Sequence, residues 1–175
     1  MNSGLYVHIP FCKSKCGYCD FNSYAGMEEC IAPYFYALNR EIKIMAKRYP
    51  VWVDTVYFGG GTPSCVKPSF ITETLENIFA EFNVEEDAEI TVECNPKTIE
   101  KKGLEKLRSA GINRISIGLQ SADNQMLKTL GRIHTFEDFE ECFKGARDKG
   151  FDNISVDLMY GLPDQNMEDW RKTLT

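Results

Sequence analysis

The sequence predicts an α/β fold, specifically a partial (β/α) barrel with about five βα units that does not close within this chain. Short β-branched or aromatic runs alternate with longer stretches of helical periodicity. The runs have the usual length of strands and lie at LYVHI (5–9), DTVYF (54–58), EITVE (89–93), RISIG (114–118) and NISVD (154–158). Alternation of this kind implies parallel strands joined by right-handed crossovers.

Apolar residues at helical spacing fill the gaps between these runs. The predicted helices lie at about 31–45, 70–82, 99–107 and 135–150, and a further one begins near Met167. Gly111 is placed to end the third helix, and Thr135 with Asp138 resembles a capping box at the start of the fourth. Helices of this length are what a parallel sheet needs to connect its strands.

The position of the unusual residues favours a barrel over an open doubly wound sheet. Each cluster ends or follows a strand: the cysteines follow 5–9, GGGTP follows 54–58, and Glu93, Gln120 and Asp157 lie at the ends of the other three. Active sites of barrels collect at this edge. Because five strands cannot close a barrel, we expect residues 1–175 to be the N-terminal part of a core domain, with the remaining strands and a C-terminal domain outside this chain.

Composition narrows the class of protein. The formal net charge is −6, and no Lys/Arg-rich face stands out, so we expect no nucleic-acid partner. No stretch approaches the roughly 20 apolar residues that span a bilayer, and the first ten residues lack the pattern of a secretory signal. We therefore expect a cytoplasmic protein, whose seven cysteines stay reduced and free to bind metal.

Three of these cysteines, Cys12, Cys16 and Cys19, lie in the stretch HIPFCKSKCGYCDF. A cubane iron–sulfur cluster normally takes four thiolates, so three would leave one iron open to another ligand. The alternative is a zinc-stapled α/β domain in which His8 supplies a fourth ligand, giving H-x3-C-x3-C-x2-C. The spacing alone leaves both possibilities open.

The glycine run FGGGTPS (58–64) is neither a P-loop nor a dinucleotide fingerprint. Taken alone it is typical of a tight turn. It follows a strand expected to neighbour the cysteine strand, and glycines allow a ligand to approach the backbone closely. This location favours a binding loop.

The motif C-x3-C-x2-C, with Tyr18 before the third cysteine, resembles that of the radical S-adenosylmethionine (radical SAM) superfamily. The resemblance implies a barrel of the radical SAM type with a 4Fe–4S cluster held by the three cysteines. It also implies that the open iron binds the amino and carboxylate groups of SAM, which an electron from the cluster splits into methionine and a 5′-deoxyadenosyl radical. The glycine run would lie beside the SAM amino group.

Longer motifs resemble the oxygen-independent coproporphyrinogen III oxidase group, and within it most of all a branch of haem chaperones. These are LYVHIPFCKSKCGYCDF, FGGGTPS, ECNPKTI, RISIGLQSADNQMLKTLGRIHT and DLMYGLPDQNMEDWRKTL. The resemblance implies that Tyr6 lies along the first SAM and that Tyr18 packs near its adenine. It places Gly60 beside the methionine part and the carboxylate of Glu93 at the same molecule.

The coproporphyrinogen enzymes bind a second SAM, and five further positions match its contacts: Gly61, Thr62, Gln120, Arg132 and Asp157. The residue types suit that role, since carboxylates accept from ribose hydroxyls or an amino group and arginine pairs with a carboxylate. No catalytic side chain is predicted beyond the cluster.

Phe21 is where this sequence departs from those enzymes, which carry a further cysteine two residues after the third ligand. The departure favours a haem chaperone over oxidative decarboxylation of coproporphyrinogen III to protoporphyrinogen IX, which is the alternative. The chaperone reading implies haem as a ligand and a haem-requiring acceptor protein as partner, with membrane contact only through that acceptor. An electron donor such as a flavodoxin-type protein is also expected. His8 and His134 are haem-ligand candidates by residue type alone.

Overall fold

The computed structural model describes residues 2–175, in which strands and helices alternate. The strands are β1 (Asn2–Ile9), β2 (Phe11–Cys12), β3 (Tyr24–Ala25), β4 (Trp52–Gly60), β5 (Asn83–Cys94), β6 (Arg114–Gln120) and β7 (Asn153–Leu158). The helices are α1 (Ile31–Arg48), α2 (Pro68–Glu81), α3 (Lys101–Ser109), α4 (Asn124–Thr129), α5 (Phe136–Asp148) and α6 (Met167–Leu174). Every strand and helix expected from the sequence is present.

Five strands form one sheet in the order β1-β4-β5-β6-β7, and every neighbouring pair is parallel. The order along the sheet follows the order along the chain, without the reversal that a doubly wound sheet has at its switch point. This progressive winding confirms the partial (β/α) barrel, which stays open among residues 2–175. The presence of further strands and a C-terminal domain outside residues 1–175 stays a prediction.

One face of the sheet packs against the helices and forms the hydrophobic core. Val56, Phe58 and Ile117 contribute from the strands, and each is fully buried. Leu75 and Leu107 meet them from α2 and α3. Burial of one such side chain stabilises the fold by roughly 1.5–3 kcal/mol, so this layer supplies most of the driving force for folding.

The opposite face of the sheet, here called the polar face, carries hydrophilic and aromatic side chains. One row across the five strands is, in register, Tyr6, Tyr57, Thr91, Arg114 and Asn153. Successive side chains on a strand point to opposite faces, so this row cannot belong to the core. The polar face leads along the strands to their carboxyl ends.

Helix boundaries follow local chemistry. The capping box at α5 is present, with Asp138 N donating to Thr135 Oγ1 at 3.3 Å and Thr135 N donating to Asp138 Oδ2 at 2.7 Å. Gly111 has a φ of +107°, a left-handed conformation that few side chains tolerate, which explains its place after α3. No helix between residues 2 and 175 is both long enough and apolar enough to cross a bilayer.

Several elements differ from the sequence prediction. Helix α4 was not predicted because six residues are too few to show helical periodicity; its cap is Asp123, whose Oδ1 accepts from the amides of Gln125 and Met126. Strand β5 begins at Asn83, before the predicted 89, since its first part is too acidic to read as a strand. The pair β2–β3 is only two residues long on each side.

Candidate functional site

A cleft of about 400 Å³ lies at the carboxyl ends of the strands. Eleven of the twelve site residues expected from the sequence line it: Cys12, Cys16, Tyr18, Cys19, Gly60, Gly61, Thr62, Glu93, Gln120, Arg132 and Asp157. Most of them lie in or after β2, β4, β5, β6 and β7, because parallel strands bring their carboxyl ends to one edge. The fold therefore gathers residues that are up to 145 positions apart in sequence.

The three cysteines lie on one short segment. Cys12 ends β2, and Cys16 and Cys19 lie in the loop 13–23, here called the cysteine loop. All three are partly exposed free thiols on the cleft wall. Thiolates are the usual ligands of iron–sulfur clusters, so the chemistry of this set fits the expected group.

Hydrogen bonds fix the cysteine loop at several points. The Lys15 ammonium donates to the carbonyl of Phe21 at 2.7 Å and to that of Ser23 at 3.2 Å, which closes the loop on itself. Gly17 N donates to the carbonyl of Leu130 at 3.2 Å and ties the loop to the segment after α4. These hydrogen bonds therefore restrict the positions of the thiols that the cysteine loop carries.

His8 does not face the metal ligands. Its Nε2 lies 2.9 Å from the carbonyl of Asn22, and its Nδ1 lies 3.1 Å from the Tyr6 hydroxyl. Since the carbonyl can only accept, Nε2 carries the proton and Nδ1 accepts from the tyrosine. Both nitrogens are thus engaged by protein groups, and the fourth ligand of the zinc alternative is not offered here.

The glycine run packs its backbone against the cysteine strand. Gly61 N donates to the carbonyl of Ile9, and Thr62 N donates to that of Phe11, both at 2.8 Å. A Cβ on Gly61 would lie 2.7 Å from the Phe11 oxygen and 3.0 Å from Cys12 Sγ. No side chain fits there, so this position needs glycine for close packing beside the first thiol.

The carboxylate of Glu93 is held from two sides. Oε1 accepts from the Tyr57 hydroxyl at 2.8 Å, and Oε2 accepts from the Gly60 amide at 3.1 Å. Burial raises the pKa of Tyr57, and its hydrogen bond to Glu93 raises that pKa further, so the phenol stays protonated and donates. Each oxygen keeps a free lone pair with which a ligand cation could be bound.

Arg132 connects the far side of the cleft to the cysteine loop. Its Nη1 lies 3.9 Å from Cys16 Sγ and 3.5 Å from the Tyr18 hydroxyl. Its Nη2 donates to Asn95 Oδ1 and to the carbonyl of Gly118, both at 2.6 Å. A fixed positive charge thus lies against a thiol, which suits an anionic, metal-bound thiolate.

Gln120 and Asp157 form the wall furthest along the sheet. Gln120 is nearly buried and has a φ of +73°, a strained conformation for a residue with a side chain. Asp157 accepts from the Ser116 hydroxyl at 3.3–3.4 Å, and Ser155 lies 3.0 Å from the same hydroxyl. Strain of this kind is found at ligand sites, where the surrounding structure maintains it.

Tyr6 is the one predicted site residue that does not line the cleft. Its side chain is 60% exposed on the polar face, and its ring stacks on Tyr57 with centroids 6.1 Å apart. Through Tyr57 it lies one contact away from Glu93. Its position along a bound SAM stays a prediction.

Neither candidate haem ligand lines the cleft. His134 is 3% exposed, and burial, together with the nearby charge of Arg132, lowers its pKa to about 4. A histidine so enclosed serves packing in this arrangement. Phe21, by contrast, lines the cleft with 70% of its side chain exposed, and it occupies the position where the sequence departs from the coproporphyrinogen enzymes.

Sequence reasoning missed several lining residues, among them Tyr57, Asn95 and Ser116. Tyr57 and Ser116 lie inside predicted strands, and only the register shows that they share a face with Glu93. Asn95 follows Glu93 by two positions, and period-2 alternation could have indicated it.

Comparison with known proteins identifies the family. The radical SAM superfamily model matches residues 6–175. The haem chaperone HemW of Escherichia coli is 41% identical over 94% of this chain, and a zebrafish protein named radical S-adenosyl methionine domain-containing protein 1, mitochondrial, is 37% identical over 99%. This chain covers only 44% and 39% of those relatives.

A solved structure agrees with these matches. Coproporphyrinogen III oxidase (HemN) from E. coli, titled a radical SAM enzyme, superposes with a TM-score of 0.89 at 34% identity. The match covers 98% of this chain and 40% of that one. The family implies a 4Fe–4S cluster and SAM as cofactors. This chain belongs to the radical SAM superfamily and is similar there to HemW and to oxygen-independent coproporphyrinogen III oxidase.

Proposed function

We propose that this chain holds a 4Fe–4S cluster through Cys12, Cys16 and Cys19 and binds SAM beside it. The observation that carries the proposal is the convergence of these thiols with Glu93, Arg132 and the glycine run on one cleft. A bound cluster would supply an iron without a protein ligand, at which SAM could be held and reduced.

The residues around the thiols have distinct roles in this proposal. Glu93, fixed by Tyr57 and the Gly60 amide, accepts from the ammonium group or a ribose hydroxyl of SAM. The backbone of Gly60 allows the methionine part to approach, and Tyr18 packs near the adenine. A second ligand of the same kind would meet Gly61, Thr62, Gln120, Arg132 and Asp157.

The whole protein acts, in this proposal, as a haem chaperone that binds haem and delivers it to a haem-requiring acceptor protein. Support comes from relatives named haem chaperones and from the exposed Phe21 where the decarboxylating enzymes carry a cysteine. A flavodoxin-type protein is the expected electron donor. Any membrane contact would come through the acceptor.

The second candidate is an oxidoreductase that decarboxylates coproporphyrinogen III to protoporphyrinogen IX. The TM-score of 0.89 with HemN keeps it under consideration. We favour a cytoplasmic location, although several relatives are named mitochondrial, and fractionation of the source cells tests this directly.

The deciding experiment is anaerobic reconstitution of the protein with iron and sulfide, followed by parallel assays. We expect about four irons and four sulfides per chain, spectroscopic binding of haem, and no conversion of coproporphyrinogen III with SAM and reductant. Robust turnover would favour the oxidase instead. Zinc in place of iron, with no cluster absorbance, would refute the cofactor assignment.

A further inference from the structure

The side-chain amide of Asn95 lies between two donors that face different cysteines. Its Nδ2 donates to Thr62 Oγ1 at 2.9 Å, and its Oδ1 accepts from Arg132 Nη2 at 2.6 Å. Asn95 comes directly after β5, Thr62 lies in the glycine run, and Arg132 comes just after α4. One amide therefore joins three separate segments at the cleft wall.

The chemistry of Arg132 fixes which way this amide points. A guanidinium group only donates, so the atom of Asn95 that faces it must be the oxygen. The nitrogen then faces Thr62, and it too can only donate. The Thr62 hydroxyl must use a lone pair toward Asn95, which directs its own proton elsewhere.

The Thr62 hydroxyl and the guanidinium both point to sulfur. Thr62 Oγ1 lies 3.5 Å from Cys12 Sγ, and Arg132 Nη1 lies 3.9 Å from Cys16 Sγ. Thr62 is 5% exposed, so water does not compete freely for its proton. Asn95 thus sets the direction in which the Thr62 hydroxyl donates, and it holds the Arg132 guanidinium in position.

Backbone contacts hold Asn95 in place without help from its side chain. The backbone N–H of Asn95 donates to Ser64 Oγ at 3.0 Å, and the backbone carbonyl of Asn95 accepts from Thr98 Oγ1 at 2.6 Å. Replacing the side chain leaves both anchors available. Effects of such a replacement on the thiols can then be separated from a general loss of structure.

We propose that Asn95 is a positioning residue that raises the reduction potential of the cluster by aiming Thr62 at Cys12 and Arg132 at Cys16. This inference rests on the proposed function. Hydrogen bonds to the sulfur ligands favour the reduced, more negatively charged cluster, and their loss moves the potential to more negative values. The residue would act through its two neighbours and not by touching the cluster.

The test is a redox titration of the reconstituted protein, followed by electron paramagnetic resonance. Asn95→Leu keeps a similar volume but removes both amide contacts, and we expect a more negative midpoint potential with unchanged iron and sulfide content. Asn77→Leu is the matched control, because Asn77 lies half-buried on α2, away from the cleft lining, and its side chain donates to the Glu73 carbonyl of its own helix. It should keep the parent potential.

A double-variant cycle tests whether Asn95 acts through Thr62. Thr62→Val should itself lower the potential, and Asn95→Leu should cause a smaller further shift in that background than in the parent. Additive shifts would overturn the coupling. An unchanged potential in both Asn95→Leu and Thr62→Val would overturn the whole inference.

Assembly of the cluster distinguishes failure of this inference from failure of the proposed function. A parent protein without a cluster refutes the proposed function itself. If Asn95→Leu alone loses the cluster, Asn95→Asp becomes the test variant. Its carboxylate still accepts from Arg132, but it also accepts the Thr62 proton, which then no longer points to Cys12. Its potential should be more negative than that of the parent, and a parent-like value would contradict the role of Thr62.

Discussion

The phenolic oxygen of Tyr57 lies 2.8 Å from Oε1 of Glu93, 36 residues away in sequence and on the neighbouring strand. With the Gly60 amide on the other oxygen, the carboxylate is fixed before any ligand arrives. Prearranged groups bind a ligand more tightly because less conformational freedom is lost on binding. We therefore expect Tyr57 to contribute to SAM binding, although it was not among the predicted site residues.

We expect Tyr57→Phe to weaken SAM binding by about tenfold, which corresponds to about 1.4 kcal/mol. The substitution removes the donor to Glu93 and leaves the ring in place. Isothermal titration of the reconstituted protein with SAM measures the effect. Tyr36→Phe, on the exposed side of α1, is the control and should bind like the parent. Equal affinities in all three proteins would show that Tyr57 does not orient the carboxylate.

Gly60→Ala should destabilise the protein by roughly 1–3 kcal/mol. Gly60 has a φ of +120°, and an added Cβ would lie 2.6 Å from the His8 ring. Chemical denaturation gives the free energy of unfolding. Gly17→Ala is the matched control, since within residues 2–175 no atom beyond its chain neighbours lies within 4 Å of its added Cβ, and its φ is not in the left-handed region. A similar loss in both variants would contradict the steric argument.

Cys12→Ala should abolish cluster assembly while leaving the thermal midpoint of the cluster-free protein close to that of the parent. The hydrophobic core lies on the helix side of the sheet, whereas this thiol lines the cleft. Iron and sulfide analysis with visible absorbance checks the first part, and circular dichroism checks the second. Cys30→Ala, outside the cleft, should retain a full cluster. Intact cluster absorbance in Cys12→Ala would refute the ligand assignment.

His134 should make the folded state less stable in acid. Burial lowers its pKa from 6.5 to about 4, so between these values the unfolded chain binds a proton that the folded protein does not. Stability contributed by the neutral imidazole is complete above pH 6.5 and is lost as the pH falls toward 4. We expect His134→Gln to reduce the pH dependence of the unfolding free energy in this window. If the unfolding free energy depends on pH equally in His134→Gln and in the parent, the lowered pKa of His134 is refuted.

Local patterns predicted the fold well, since strands such as 114–118 and the capping box of Thr135 and Asp138 depend on near neighbours in sequence. The spacing of Cys12, Cys16 and Cys19 likewise predicted that these three thiols lie together, and all three line the cleft. Contacts across strands could not be predicted this way. The pairing of Tyr57 with Glu93 depends on a register that a bulge between Val53 and Thr55 shifts. The orientation of the Asn95 side chain could not be predicted either, because it depends on the relative positions of three segments that are separate in sequence.

Residues on the two faces of the same strands are subject to different constraints. Phe58 and Val92 point to the core, while Tyr57 and Glu93, their immediate neighbours in sequence, point to the polar face or the cleft. Substitutions on the core side therefore affect folding, whereas substitutions at the alternate positions affect ligand chemistry. A lineage with this sheet could change what it binds through every second residue of a strand while the packing that keeps it folded stays as it was.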